Sequence, residues 1–334
     1  MTGSRPLALL LGMIALSACS PYAYNQEIAS FSTGVDAVVA SYRTGQQAVG
    51  AIVLHQQQAA DAAARTRLLL LPGCDQTDPS GSPPQLPDCA VVAFKGQAVP
   101  APTAVQQNLA DAAPAFNALQ EYATALAAVT ASNDVTALNQ AAQGLATAAG
   151  GMARTAAKLT PKAAPASSLV APAGSLILQA VAIALDQRRL AALRKAVPAM
   201  DPTVQVLGRT LQGALADIRA QQLLLLGHEL RSAAEPLEVP AVGKLSVADY
   251  QSKLAAVQAG IAAFNQARAA DPAATVTAMV NAHHQLTLAL QANAGQGMAV
   301  LTGVQTFATA AETLKTAIGA AAGVMAKAPD AARK

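Results

Sequence analysis

Histidine is the residue type in this chain best suited to metal binding or acid–base chemistry, and the chain has four. They are His55, His228, His283 and His284. A helical zinc pair needs two histidines on one face, four residues apart, whereas adjacent residues point about 100° apart around a helix. Glu-x-x-His and Cys-x-x-Cys-His are also missing, which excludes the usual di-iron bundle and covalent haem. We therefore expect no metal and no cofactor, and interpret the histidines as surface or half-buried side chains.

Motifs that mark common enzyme classes are missing as well. The chain has no Gly-x-Ser-x-Gly elbow and no Walker loop, and Gly295-x-Gly297 falls between predicted helices, where a hinge is the better interpretation. The six glutamates are dispersed, and no two are placed by sequence as an acid and a base. A net charge of +3 with scattered basic residues gives no sign of nucleic-acid binding. We expect a protein without catalytic residues.

The N-terminus resembles the signal of bacterial lipoproteins. Arg5 precedes an apolar run from Leu7 to Leu16, which is too short to span a bilayer, and Leu16-Ser17-Ala18-Cys19 is similar to a lipobox. The resemblance implies that the leader is removed before Cys19 and that Cys19 carries two or three acyl chains, enough for stable membrane anchoring. It also implies that Ser20 permits transfer to the outer membrane. The alternative is a plain secretory leader that ends at Ala18.

Export by that route also implies a role for the other two cysteines. Cys74 and Cys89 flank a segment rich in glycine and proline, and in an oxidising compartment we expect them to form a disulfide. Closing this loop of about 15 residues would stabilise the fold by ~3 kcal/mol. A thiol nucleophile or a metal pair is the alternative, but no histidine lies near either cysteine in the sequence.

Composition and periodicity predict an all-α fold. Hydrophobic residues make up 53% of the chain but aromatic residues only 3%, so alanine supplies much of the apolar character, which disfavours β architecture. Apolar positions step by three and then four residues, the pattern of left-handed lengthwise packing. These predicted seams are Ile28, Phe31, Val35, Val38, Tyr42, Gly45, Val49 and Ile52; Leu109, Ala112, Phe116, Leu119, Ala123 and Leu126; Val135, Leu138, Ala142, Leu145, Ala149 and Met152; Tyr250, Leu254, Val257, Ile261 and Phe264; and Val300, Val304, Phe307, Ala311, Leu314, Ile318, Ala321 and Met325.

Caps and prolines predict the helix boundaries. The first helix is expected over 24–64, and the seven prolines between Pro72 and Pro102 prevent it from continuing. Leu68–Leu71 is either the last turn of this helix or a short strand that pairs with 90–94. A second helix is predicted over 103–131, and a cap at Asn133 or Asp134 begins its continuation to residue 159. The next two helices are predicted over 175–196 and from 201 to about 234. Asp201-Pro202, Ser246 with Asp249, and Asp271-Pro272 are predicted helix starts. Short links predict antiparallel neighbours.

Two long segments contain no Asp, Glu, Lys or Arg. In 163–185, a core helix is favoured over a membrane-inserting hairpin because prolines and polar residues interrupt the apolar run. In 272–311, uncharged polar residues accompany the apolar ones, and packing inside the bundle is favoured over a surface that faces a partner.

Together these patterns predict an elongated, Ala-rich, left-handed antiparallel bundle of about six or seven helices with one disulfide-closed Pro-rich loop. Its expected organisation is a signal peptide (1–18), a lipidated tether (19–23), a bundle (24–328) with a Pro-rich loop (72–102), and a tail (329–334). We expect a non-enzymatic structural or adaptor lipoprotein on the periplasmic face of the outer membrane, binding an envelope protein or the cell wall. A membrane-perturbing bundle and a carrier of a small apolar ligand remain alternatives.

Overall fold

The computed structural model describes residues 24–63, 65, 68–70, 91–93, 103–159, 185–238, 245–292 and 297–331. Within these residues the chain forms seven helices and one pair of short strands, which confirms the predicted all-α helical bundle. The elements are α1 (Asn25–Ala63), β1 (Leu68–Leu70), β2 (Val91–Ala93), α2 (Ala104–Ala131), α3 (Val135–Leu159), α4 (Leu185–Glu238), α5 (Val247–Ala269), α6 (Pro272–Gln291) and α7 (Gly297–Ala331). The leader, Cys19, Cys74, Cys89 and residues 163–184 lie outside the described residues.

Side-chain caps begin four of these helices. Thr103 and Gln106 form a reciprocal capping box at α2, and the Asp134 carboxylate accepts a hydrogen bond from the Ala137 backbone N–H at α3. Ser246 and Asp271 cap α5 and α6 in the same way, and Pro272 follows Asp271 in the first turn. These starts agree with the sequence prediction, because a capping side chain acts locally and needs no tertiary partner.

Contacts between named residues give the helix directions. Asp36 and Tyr42 of α1 bond to Gln120 and Leu109 of α2, respectively, so these two helices are antiparallel. The Tyr42 ring also stacks on Phe116, with ring centroids 3.9 Å apart. Helices α6 and α7 are also antiparallel. Gly303 of α7 faces Ala282 and Gln285 of α6, and the Thr275 hydroxyl, earlier in α6, donates to the Ala310 carbonyl, later in α7.

Helix α4 is the longest element, with 54 residues, and it would measure about 80 Å if straight. Helices α6 and α5 lie end to end along it. Asp201 contacts His283 and Gly208 faces Val280, both of α6, while Arg219 donates hydrogen bonds to the Ala267 and Arg268 carbonyls at the end of α5. Both helices therefore run antiparallel to α4 and parallel to each other. The two-residue link at 270–271 is thus an exception to the prediction that short links join antiparallel neighbours.

The core has two parts. The larger contains buried residues of α1, α2, α3, α4, α6 and α7, among them Phe31, Phe116 and Phe307. The smaller is formed by α4, α5 and α7 around Leu226, Ala263 and Met325, with Ala48 of α1 packed against it. The bundle is therefore thicker where α2, α3 and α6 lie, and thinner along α5.

Four of the five predicted seams are buried as expected. The named seam residues of α1, α2, α3 and α7 whose side chains the structure describes are buried, with one exception. Val135, the first residue of α3, is 42% exposed, and the Ile52 side chain lies outside the described residues. The prediction is wrong for α5, where Tyr250, Leu254 and Ile261 are exposed and the buried positions are Gly260, Ala263 and Ala267. Small residues allow close helix approach, and here they form most of the face that α5 turns to the bundle. Of the predicted seam, Phe264 alone packs against the smaller core, and it is half-buried.

The prediction of a helix start at Asp201-Pro202 is also wrong. Helix α4 continues through Pro198 and Pro202, and Asp201 lies inside the helix, in its N-terminal third, with 7% of its surface exposed. The two prolines leave the carbonyls of Arg194 and Pro198 without intrahelical partners. Arg194 is exposed and Pro198 half-buried, so water can hydrate this side of the helix. The Asp201 carboxylate bonds to another helix and not to its own backbone.

The strands β1 and β2 pair antiparallel, with Leu68 opposite Ala93 and Leu70 opposite Val91. Of the two alternatives for Leu68–Leu71, the structure therefore shows a strand. This pair closes the base of the segment that holds Cys74 and Cys89.

Candidate functional site

The histidines and cysteines considered from the sequence lie in different parts of the structure. Cys19, Cys74, Cys89 and the His55 side chain lie outside the described part of the chain, and His228 is an exposed residue of α4. His283 and His284 of α6 both reach one carboxylate, that of Asp201 on α4. The structure thus brings together three of the residues named from sequence, in a combination that the sequence did not predict.

A chain of hydrogen bonds runs through the centre of the thick section. The Tyr122 hydroxyl of α2 lies 3.0 Å from His283 Nε2, and His283 Nδ1 lies 3.0 Å from Asp201 Oδ1. The other carboxylate oxygen, Oδ2, lies 2.9 Å from His284 Nδ1 and 3.1 Å from Gln205 Nε2. We call Tyr122, Asp201, His283 and His284 the buried polar network. Adjacent histidines diverge around a helix, but both rings reach Asp201 because its carboxylate has two oxygens, one for each histidine.

This arrangement determines the donors and acceptors. A carboxylate only accepts, so the Nδ1 atoms of both histidines carry the hydrogens. When His283 is neutral, its Nε2 is then an acceptor and the Tyr122 hydroxyl donates to it. Three helices, α2, α4 and α6, are joined by these bonds.

Apolar and aromatic groups surround the network. Tyr122 and His283 have no exposed surface, and the rings of Phe31 and Tyr122 lie 5.9 and 5.8 Å from the His283 ring. The His284 side chain is 46% exposed and is the network's contact with solvent. A polar group buried among apolar ones is costly unless it is hydrogen-bonded, so each member depends on the others.

Burial and charge act differently on the two acids. Burial, reinforced by the Asp201 charge, raises the pKa of Tyr122, so its hydroxyl stays protonated. Burial alone would also raise the pKa of Asp201, but the hydrogen bonds and charges of His283 and His284 outweigh it and hold that pKa below 3.8. The network therefore contains a carboxylate and a neutral phenol.

Tyrosine, histidine and aspartate in a row could relay a proton, but substrate access is lacking, since neither Tyr122 nor His283 reaches the surface. Among the residues that the structure describes, no three His, Cys, Asp or Glu side chains are arranged to hold a metal ion. The geometry supports a structural role, in which the network fixes how α2, α4 and α6 align.

The expectation of surface or half-buried histidines is wrong for His283. A signal was present in the sequence, since Val276, Met279, His283, Leu286 and Leu290 step by three and four residues, and all five are buried. His283 occupies a seam position of α6, and a polar residue at such a position requires a buried partner.

An open groove lies on the outer side of α6 and α7, within the uncharged stretch 272–311. Its volume is about 960 Å³, and apart from Asp271 at one end its lining is uncharged. The polar side chains in it are Thr277, Asn281, Gln285, Thr302 and Thr306. The inner face of both helices is core, as favoured, while the outer face presents amides and hydroxyls to solvent.

The chain matches no known family model, and neither curated proteins nor solved structures show a significant similarity to it. Among the described helices, none combines the length and the hydropathy needed to cross a bilayer.

Proposed function

We propose that the protein is a lipid-anchored, non-enzymatic adaptor of the cell envelope that binds another envelope component through the groove between α6 and α7. The main support for this proposal is the groove. It is an open concave surface whose lining, Asp271 aside, is uncharged. Thr277, Asn281 and Thr302 are exposed in it, beside exposed Met298 and several alanines. Such hydroxyl and amide groups bind neutral hydrogen-bonding partners, such as a backbone segment of an envelope protein or the cell-wall polymer, without a charge to desolvate.

The proposed anchor is Cys19, and the proposed location is the periplasmic face of the outer membrane. Helix α1 begins at Asn25, only six residues after Cys19, so the bundle would start close to the bilayer. The length of α4 supports an elongated shape, and the three-four spacing of the seams supports left-handed coiling of the helices. The bundle would then hold the groove at a definite distance from the membrane.

We also propose the disulfide between Cys74 and Cys89. Leu70 and Val91 are paired in the β1–β2 ladder, and the cysteines follow and precede this pair by four and two residues. These chain spans are short enough for the two thiols to meet. The intact protein should be about 2 Da lighter than the reduced protein, and an alkylating reagent should label Cys74 and Cys89 only after reduction. Labelling of both thiols in the unreduced, exported protein would contradict the bond.

Site-specific photo-cross-linking tests the groove. A photoreactive amino acid at Thr302, in the groove, is compared with one at Thr147, an exposed helical threonine of α3. In intact envelopes we expect one dominant adduct at position 302 and none at 147. Equal labelling at both positions, or no adduct at 302, would contradict a docking groove.

Two further measurements test the anchor and the alternative of membrane perturbation. Cys19→Ser should abolish acyl incorporation and move the protein from the membrane to the soluble fraction. The unlipidated protein should leave dye-filled liposomes sealed, because an adaptor has no reason to insert helices. Dye release by this protein would favour the membrane-perturbing alternative.

A further inference from the structure

Helix α5 has an unusual distribution of side chains. The three residues it buries in its own bundle are Gly260, Ala263 and Ala267. Phe264 packs against the smaller core beside them, but four other large apolar residues lie on another side of the helix and are exposed. They are Val247 at 75%, Tyr250 at 41%, Leu254 at 36% and Ile261 at 44%. An exposed row of large apolar side chains on a water-facing helix is costly without a partner.

The row has the spacing of a coiled-coil seam. Together with half-buried Val257, the residues step by three, four, three and four positions along α5. We call Val247, Tyr250, Leu254, Val257 and Ile261 the α5 seam. Such a seam packs against another helix with the same spacing, whose side chains enter the holes between its own.

We infer that the α5 seam pairs with the α5 seam of a second copy of this chain. Within the described residues, the other large exposed apolar side chains are single residues on separate helices, and only α5 presents a spaced row. They are Leu54, Val135, Leu224 and Met298. A second copy therefore supplies the one described surface that matches the seam.

Charge also suits pairing with an identical helix. From Leu254 to Ala267, α5 carries no Asp, Glu, Lys or Arg, and exposed alanines surround the seam. Two identical helices with a charged seam edge would repel each other, whereas here only Lys253 and Asp249 lie near one end. The methyl groups beside the seam also let two backbones approach closely.

The size of the seam predicts a weak dimer. Helix α5 has 23 residues, about 35 Å, and two such seams would bury on the order of 1,000 Å² in total, at the low end for specific interfaces. If the proposed lipid anchor confines both copies to one membrane, the local concentration rises and the pair forms more readily. The pairing itself does not require the anchor.

Disulfide trapping of the full chain in its membranes tests the pairing. Leu254 is the middle residue of the seam, so Leu254→Cys meets its own copy whether the two helices run parallel or antiparallel. Ser252→Cys is the control, because it is exposed on the same helix but points away from the seam. After mild oxidation we expect at least ten times more covalent dimer from Leu254→Cys than from Ser252→Cys or the parent chain.

A second variant separates pairing from folding. Leu254→Asp places a charge in the exposed seam, so we expect the purified full chain to lose its concentration-dependent dimer while its melting temperature stays within about 2 °C of the parent value. Equal trapping at positions 252 and 254 would overturn the inference. So would the absence of a Leu254→Cys dimer, as expected if residues 64–102, residues 160–184 or another protein cover the seam.

Discussion

Asp-Pro occurs at 201–202 and at 271–272, and the two aspartates behave differently. Asp271 has extended backbone angles and accepts a hydrogen bond from the Ala274 N–H, so it begins α6. Asp201 lies within α4, and its oxygens accept hydrogen bonds from His283, His284 and Gln205. The local signal is the same, and the difference comes from tertiary partners that are 82 and 83 residues away.

Replacing Asp201 tests the importance of the buried polar network. Asp201→Ala leaves the buried His283 Nδ1–H without an acceptor, so we expect the free energy of unfolding to fall by about 3 kcal/mol. Gln205→Ala is the matched control, because it removes another hydrogen bond to the same carboxylate from an exposed side chain, and we expect a change within about 0.5 kcal/mol. Urea denaturation followed by circular dichroism measures both. Similar losses in the two variants would show that the network has no special role.

The lowered pKa of Asp201 predicts an acid-dependent part of the stability. Below 3.8 the unfolded state binds a proton to this group before the folded state does. The contribution is therefore complete above that value and is lost as the pH falls through the lower folded pKa. Asp201→Asn cannot titrate, so its unfolding free energy should decline less steeply than that of the parent between about pH 5 and pH 2. Identical slopes would contradict the assignment.

At the scale of helices, local signals predicted the boundaries well. The bounds of α2, α3, α5 and α6 follow from caps, prolines and glycines, each of which acts within a few residues. Seam spacing predicted which faces of α1, α2, α3 and α7 are buried. It failed for α5 because spacing shows that a helix has an apolar face, but not whether this chain supplies the partner for it.

Two glycines of α1 mark close helix contacts. A Cβ at Gly34 would lie 2.6 Å from the Phe307 ring of α7, and one at Gly45 would collide with Ile218 of α4. Both neighbouring side chains are fully buried, so neither has free space to move into. These positions let α1 lie against α4 and α7.

Replacing a glycine of α1 by alanine should destabilise the fold where the helix is in close contact and stabilise it where the Cβ position is open. We expect Gly34→Ala to destabilise the fold by about 1–3 kcal/mol through overpacking against Phe307. Gly50 lies in the same helix with nothing within 4 Å of its Cβ position, so Gly50→Ala should stabilise by roughly 0.5–1 kcal/mol through helix propensity. Thermal unfolding of the two variants measures this. A Gly34→Ala variant as stable as Gly50→Ala would contradict the close contact.

At the scale of the whole molecule, the bundle is organised around α4. Helices α1 and α7 run along it in the same direction, while α5 and α6 together form an antiparallel partner. The sequence could not predict this arrangement, because Pro198, Pro202 and the Asp201 cap signal all favour a break where the helix continues. The buried polar network lies at this position and couples it to α2 and α6, which is a physical reason for the helix to remain unbroken.

The alignment of the bundle depends on the continuity of α4 across Pro198 and Pro202, and a distance between two spin labels tests it most directly. Labels at Ala191→Cys and Arg231→Cys are both exposed and lie on opposite sides of the proline pair, in a chain whose native cysteines are replaced by serine. An unbroken α4 predicts a single distance of about 60 Å by pulsed electron paramagnetic resonance. Two antiparallel helices joined near Asp201 would instead give about 35 Å, and that result would contradict an unbroken α4.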